Sequence, residues 1–477
     1  MINTTKRAEF LQEWQANADA IFTEDNLNKL RAAFGENYVE AMKDMLYRMK
    51  SGRNRPSGAN KLTNNFNNWV NDSVGTIMFF NTRSALLQTL SIVNFINWGD
   101  NNPIQAAKAF ANQKQFWSDF SMLFNSDFLK QRRSGLKNDV NADDIANAAE
   151  TATNKSKAVF ASILKMGFLP TQMADSFAIA MGGASFVRNR ISKYVSEGMD
   201  KKAAEEKAFL DFQEIAEETQ QSSRPDRISQ QQASPLGRIV LAFANTPMQY
   251  MRLTKKAFLD LKNGRGDAKT NITKIIYYSV VQNIIFSALQ SALFAAAFQD
   301  DDEEAIKDRE LRIANSMLDS ILRGAGVYGA IASTLKNIVM EVGNQASKDR
   351  PDFTVAAQRA LSISPPIDSK MRKLMGAARA FSYKTTRDKM KGFGLDNPAY
   401  YATGQLVSAA FNLPLDRVIR KADNLRVAVD NDTKYWQSIA LMLGYSQWDL
   451  GLIQSEKKKK KSGFGKTTKW TKGEWKK

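Results

Sequence analysis

GRIVLAFANTPMQYMRLTKKAFLDLKNGRGDAKTNITKIIYYSVVQNIIFSALQSALFAAAFQDDDEE, Gly237 to Glu304, decides the fold class of this chain. Its first half spaces apolar residues three and four apart with charge between them, which is the period of a helix rather than a strand. Pro247 should kink or restart that helix. Asn263 to Asp267 should turn the chain, because Gly264 and Gly266 permit positive φ, and the two helices can then pack antiparallel as a hairpin. Ile275 to Phe298 holds no charge at all. Within it Ser279, Gln282, Asn283, Ser287, Gln290 and Ser291 fall on one helical face, and the acidic run Asp300 to Glu304 ends the apolar stretch.

The same pattern occurs upstream. TIMFFNTRSALLQTLSIVNFINW, Thr76 to Trp98, has Arg83 as its one charge and reaches the roughly 20 residues that a membrane helix needs. Asn81, Ser84, Gln88, Ser91 and Asn94 step by three or four, so a helix here would be apolar on most sides with a narrow polar stripe. Two readings follow for both segments. The stripes can face a membrane-embedded or oligomeric partner and enclose a wet path. Alternatively both segments are buried helices whose amides and hydroxyls hydrogen-bond across helix interfaces.

Working outward, no convincing strand run appears, and the chain reads as all-α, an elongated multi-helix assembly with long apolar helices and a flexible basic tail. Residues 1–50 carry amphipathic helices and residues 51–75 a hinge, since Gly52, Pro56 and Gly58 interrupt the pattern and leave Arg53 and Arg55 exposed. A helical region spans 76–219, broken near Pro170 and at Gly182 and Gly183, where helices should meet at an angle. Residues 220–236 read as a polar linker, 237–300 as the apolar hairpin, 301–455 as C-terminal helices and 456–477 as a lysine-rich tail.

Composition narrows the chemistry. The 477 residues include neither cysteine nor histidine, which removes disulfides, thiol nucleophiles, imidazole bases and zinc sites built from either residue. No catalytic constellation, metal set or cofactor motif stands out, and the chain reads as a non-enzyme. A formal net charge of +18 favours polyanionic partners, DNA, RNA or anionic lipid. A mean hydropathy of −0.40 is that of a water-soluble composition, so membrane contact would be conditional. The start, MINTTKRAEF, lacks the apolar core of a secretory signal.

Half of the net charge is concentrated at one end. Lys457, Lys458, Lys459, Lys460, Lys461, Lys466, Lys469, Lys472, Lys476 and Lys477 stand against Glu474 alone, and Phe464, Trp470 and Trp475 lie among them. That mixture suits phosphate attraction with stacking on bases, or seating in a lipid interface, although a solvated tail has the same composition. Three short motifs are set aside. Gly324, Gly326 and Gly329 spell GxGxxG, but a helical pattern precedes them where a dinucleotide site needs a strand. Arg265–Gly266–Asp267 is ordinary turn chemistry, and the acidic run at 300–304 lacks the spacing of a calcium loop.

Three long phrases are distinctive: NTRSALLQTLSIVNFINWGDNNP from Asn81, LAFANTPMQYMRLTKKAFLDLKNGRGDAKTNITKIIYYSVVQNIIFSALQ from Leu241, and SIALMLGYSQWDLG from Ser438 ahead of the lysine-rich end. They resemble a helical domain of large polyvalent phage proteins, over roughly residues 60 to 300 and the final 45. The resemblance implies a virion-associated protein of short-tailed, crAss-like or related phages, packaged in the capsid and ejected with the DNA. It brings no catalytic residues. Members often carry protease, polymerase or methyltransferase modules upstream, and here the helical part comes first. The expected role is an internal cargo or ejection protein that assists DNA passage across the host envelope. Its expected partners are phage DNA, portal, tail and other cargo proteins, the host membrane and further copies of itself. A static liner of the portal or tail lumen, and a nucleic-acid-binding accessory of a packaged polymerase, are the other readings.

Overall fold

The computed structural model describes residues 4–97, 99–137, 139–151, 154–281, 314–315, 317–348, 351–382, 397–430, 432–447, 450 and 452. Among these residues the regular structure is helical throughout, without a strand, in an elongated multi-helix arrangement. Residues 4–51 form three helices, Thr4–Ile21, Glu24–Phe34 and Glu36–Ser51. Thr23 caps the second, and Gly35 at φ 85 separates it from the third.

The largest core surrounds the 28-residue helix Leu169–Ser196. Pro170 sits in its first turn, where the missing N–H costs nothing, so the break near Pro170 falls between this helix and Lys155–Gly167. Contrary to expectation, Gly182 and Gly183 do not interrupt it. They are where neighbours touch its backbone: a Cβ on Gly182 would lie 2.5 Å from Phe95, and one on Gly183 2.3 Å from Phe212. The Phe95 and Phe212 rings stack at 5.9 Å over this shallow spot. The glycines are therefore contact sites for aromatic rings rather than hinges.

The Thr76–Trp98 segment is not one helix. Lys61–Met78 ends first, Phe80 takes φ 45, and the chain restarts as Thr82–Gln88 and tightens into the 3-10 turn Thr89–Phe95. Asn81 explains the restart, because its Oδ1 accepts the Ser84 N–H at 3.1 Å and caps the new helix. The break is fixed from outside as well, by Phe80 N–H donating to the Gly167 carbonyl at 2.7 Å. Among the described residues no helix is long and apolar enough to cross a membrane.

The second apolar segment is described only to Val281. Pro247 does restart a helix: after Phe243 at φ 66 the chain enters Asn245–Lys262, turns at Gly264 and Gly266, both with positive φ, and returns as Ala268–Ile276. Tyr250 and Tyr278 pair across the hairpin at 5.8 Å. The return helix widens into a π turn, Tyr277–Val281, in which the Ser279 hydroxyl lies 3.4 Å from that of Thr254. Gln282, Asn283, Ser287 and Gln290 of the expected stripe, the acidic run, and the whole tail from Lys457 to Lys477 lie outside the described residues.

Residues 220–236 are not a free linker. Gln220, Ser222, Ser223, Ile228 and Gln232 are all buried, and short helices at Gln230–Ala233 and Pro235–Val240 continue the strap. Part of the expected 51–75 hinge is likewise ordered, since Lys61–Met78 is helical and Asn54 is buried. The GxGxxG glycines serve close packing too, with Gly329 against the Leu322 carbonyl and Gly324 against that of Pro247.

Candidate functional site: an asparagine-lined cavity over buried arginines

Arg48, Arg132 and Arg238 are the largest fully buried side chains described, each 1–2 % exposed. A guanidinium in an apolar interior would be prohibitively unstable without compensation, so each is surrounded by carboxylate and carbonyl oxygen. Arg132 meets Asp175 at 2.7 Å and Glu217 at 3.3 Å and donates to the Gln221 carbonyl. Arg48 pairs with Asp44 at 2.9 Å and donates to the Ile228 carbonyl at 3.2 Å. Arg238 pairs with Asp144 at 2.6 Å and donates to the carbonyls of Asn54 and Ala233. All three thus tie the 220–238 strap to helices elsewhere in the chain.

The sequence-derived polar stripe joins this network instead of facing a wet path. Gln88 donates to Asp175 at 3.0 Å. The Ser91 carbonyl accepts from Gln220 at 3.0 Å, and Asn94 donates to the Thr219 carbonyl at 3.2 Å. Asn81 is a helix cap, and Ser84 supplies the N–H it receives. The Gln88 and Asn94 amides thus bond across elements, as in the second of the two readings, whereas Asn81, Ser84 and the Ser91 hydroxyl bond within their own turns.

Above Arg238 opens a cavity of about 950 Å³. One wall is the Lys61–Met78 helix, whose Asn64, Asn65, Asn68, Asn71 and Asp72 share a face by three- and four-residue spacing. The Ser51–Asn60 loop gives Arg53 and Arg55, the Val140–Thr151 helix Asp144 and Asn147, and the Lys155–Gly167 helix Lys157 and Phe160. Arg55, expected to be exposed, is folded inward. It donates to Asn64 Oδ1 at 2.9 Å and Asn68 Oδ1 at 2.6 Å and lies 3.4 Å from Asp144. Arg53 is exposed as expected.

The carboxylates differ in state. Burial opposes ionisation of Asp144, but Arg238, Arg55 and the Asn71 amide outweigh it and hold the group below the usual range. Burial raises Asp72 to about 6, with Lys370, Arg55 and Lys157 pulling the other way. Asp143, just beneath, is also raised to about 6 by burial, opposed by Lys137. Lys370 bridges to the far side, donating to Asn412 Oδ1 at 2.7 Å and lying 5.1 Å over the Trp69 ring. The cavity offers amide edges, an indole and cations, a set suited to holding a polar anionic ligand. Among the described residues no group of acidic side chains is arranged to hold a metal ion.

Sequence reading passed over this cavity. Its signal was present in NKLTNNFNNWVND, Asn60 to Asp72, where asparagines at 64, 68 and 71 mark one helical face. A scan against protein-family models gave no match, and searches of curated proteins and of solved structures returned no similar chain.

Proposed function

We propose that this chain is an internal virion protein of a phage, packaged in the capsid and released with the genome. The observation that carries the reading is that its three distinctive phrases meet in space. Tyr277 Oη donates to the Val93 carbonyl at 3.2 Å, across 184 residues, and Thr82 Oγ1 donates to the Met442 carbonyl at 3.2 Å, across 360 residues. Phrases that share a resemblance and converge on Thr82 to Phe95 behave as parts of one functional body. The charge of +18, half of it in the lysine-rich end, supports DNA as the partner. In this reading the protein acts by binding, without making or breaking bonds. It works beside portal, tail and other cargo proteins and its own copies, and it assists passage of the genome across the host envelope.

Quantitative mass spectrometry of protease-stripped particles, before and after DNA ejection, tests this. Protection in full particles with loss from emptied ones supports ejected cargo. Retention in emptied particles points to a static liner of the portal or tail lumen. Absence from full particles overturns the virion reading.

A further inference from the structure

We propose that the asparagine-lined cavity is a nucleotide site, taking one phosphate on Arg53 and Lys157 and one base against Trp69. This goes beyond the cargo reading and stands or falls separately, because it rests on the cavity's own residues.

Charge accounting sets the phosphate end. Asp144 is shared between Arg238 at 2.6 Å and Arg55 at 3.4 Å, Arg55 is further engaged by Asn64 and Asn68, and Asp72, the other carboxylate on the lining, is faced by Lys370, Arg55 and Lys157. Arg53 and Lys157 line the same cavity, and among the described residues neither side chain makes a hydrogen bond or close ion pair. Two exposed cations outside any close ion pair, one on the Ser51–Asn60 loop and one on the Lys155–Gly167 helix where it acts on Asp72 at longer range, match a group with several acceptor oxygens. The base end follows from Trp69, a half-buried indole on the cavity wall with Phe66 stacked at 6.0 Å and Lys370 Nζ 5.1 Å over the ring, so a base entering here takes the place of the Lys370 ammonium against the indole. Between the two ends stand amides with atoms to spare. Asn68 uses its oxygen on Arg55 and keeps its NH₂, whereas Asn147 uses its NH₂ on Asp143 and keeps its oxygen. A free donor and a free acceptor are what a base edge requires, and a stacked aromatic tolerates any base. The volume of about 950 Å³ accommodates a nucleotide with room for a second unit.

Calorimetric titration of the full chain with thymidine 5′-monophosphate, thymidine and inorganic phosphate tests the assignment. Saturable binding of the monophosphate is expected, with thymidine and phosphate each much weaker. In the double variant Arg53→Glu, Lys157→Glu the monophosphate should bind about tenfold or more weakly, since two charge-assisted contacts are reversed. Both side chains are exposed and outside any hydrogen bond or close ion pair, so the melting temperature should hold, and the lysine-rich end is common to both proteins. Trp69→Phe should weaken the monophosphate and leave the response to inorganic phosphate unchanged. A 5′-phosphorylated oligothymidylate that competes assigns the site to strand ends, and one that fails to compete assigns it to free nucleotides. Equal affinity in the double variant, equal affinity for phosphate and monophosphate, or no binding at millimolar ligand would overturn the proposal.

Discussion

Arg132 shows what a single side chain is asked to do here. It is 1 % exposed, pairs with two carboxylates and donates to a strap carbonyl. Arg132→Met would leave Asp175 and Glu217 buried without their cation, and the expected loss is about 3–5 kcal/mol in urea unfolding. A loss below about 1 kcal/mol would mean that water reaches the site. Asp72 gives a pH signature of known sign. Its carboxyl is raised to about 6 in the fold from an ordinary 3.8, so it favours folding when protonated, and that contribution fades as pH rises through 6. Asp72→Asn should therefore gain stability relative to the parent on going from pH 4.5 to 7.5. Urea midpoints of both proteins across that range would show it, and a constant difference would refute the assignment.

Elements were legible to different degrees, for physical reasons. The Asn245–Lys262 and Ala268–Ile276 hairpin was readable because its cues are local, Pro247 at the start and two positive-φ glycines in the turn. The interruption at Phe80 was equally local, and the Asn81 cap that causes it was present in FFNTRS, yet the apolar count of the whole segment hid it. The strap was not legible at all. Ser222, Ser223 and Gln232 look like linker residues until the fold buries them, with the Ser223 carbonyl accepting from Asn54 across 169 residues and the Ser222 carbonyl from Asn245. The cavity escaped for the same reason, since Arg53 and Lys157 approach only through folding. The helix Leu169–Ser196 carries its own test. Gly183→Ala would drive a methyl into the Phe212 ring, which is itself pinned by Phe95, and should cost about 1–3 kcal/mol by thermal or urea unfolding. An unchanged stability would mean that the ring can step aside.

At the scale of the molecule, charge and connectivity are distributed differently. Ten lysines against one glutamate put +9 of the +18 in the last 21 residues, so deleting 457–477 should weaken DNA association and flatten its dependence on salt. An unchanged slope would count against the lysine-rich end as the DNA contact that the proposed function assigns to it. The body, for its part, has several small apolar cores, around Phe212, Ile145, Met248 and Leu441, connected by contacts between residues very distant in the chain. Helical proteins usually fold fast because most of their contacts are local. In this one Arg48 reaches Ile228 across 180 residues and Thr82 reaches Met442 across 360. A chain emerging N-terminus first, from a ribosome or any other narrow exit, can form its individual helices at once, but Arg48 stays without its carbonyl until residue 228 has cleared. The seam at Thr82 waits in turn for residue 442, so the long seams of the body can close only in the order in which their second partners emerge.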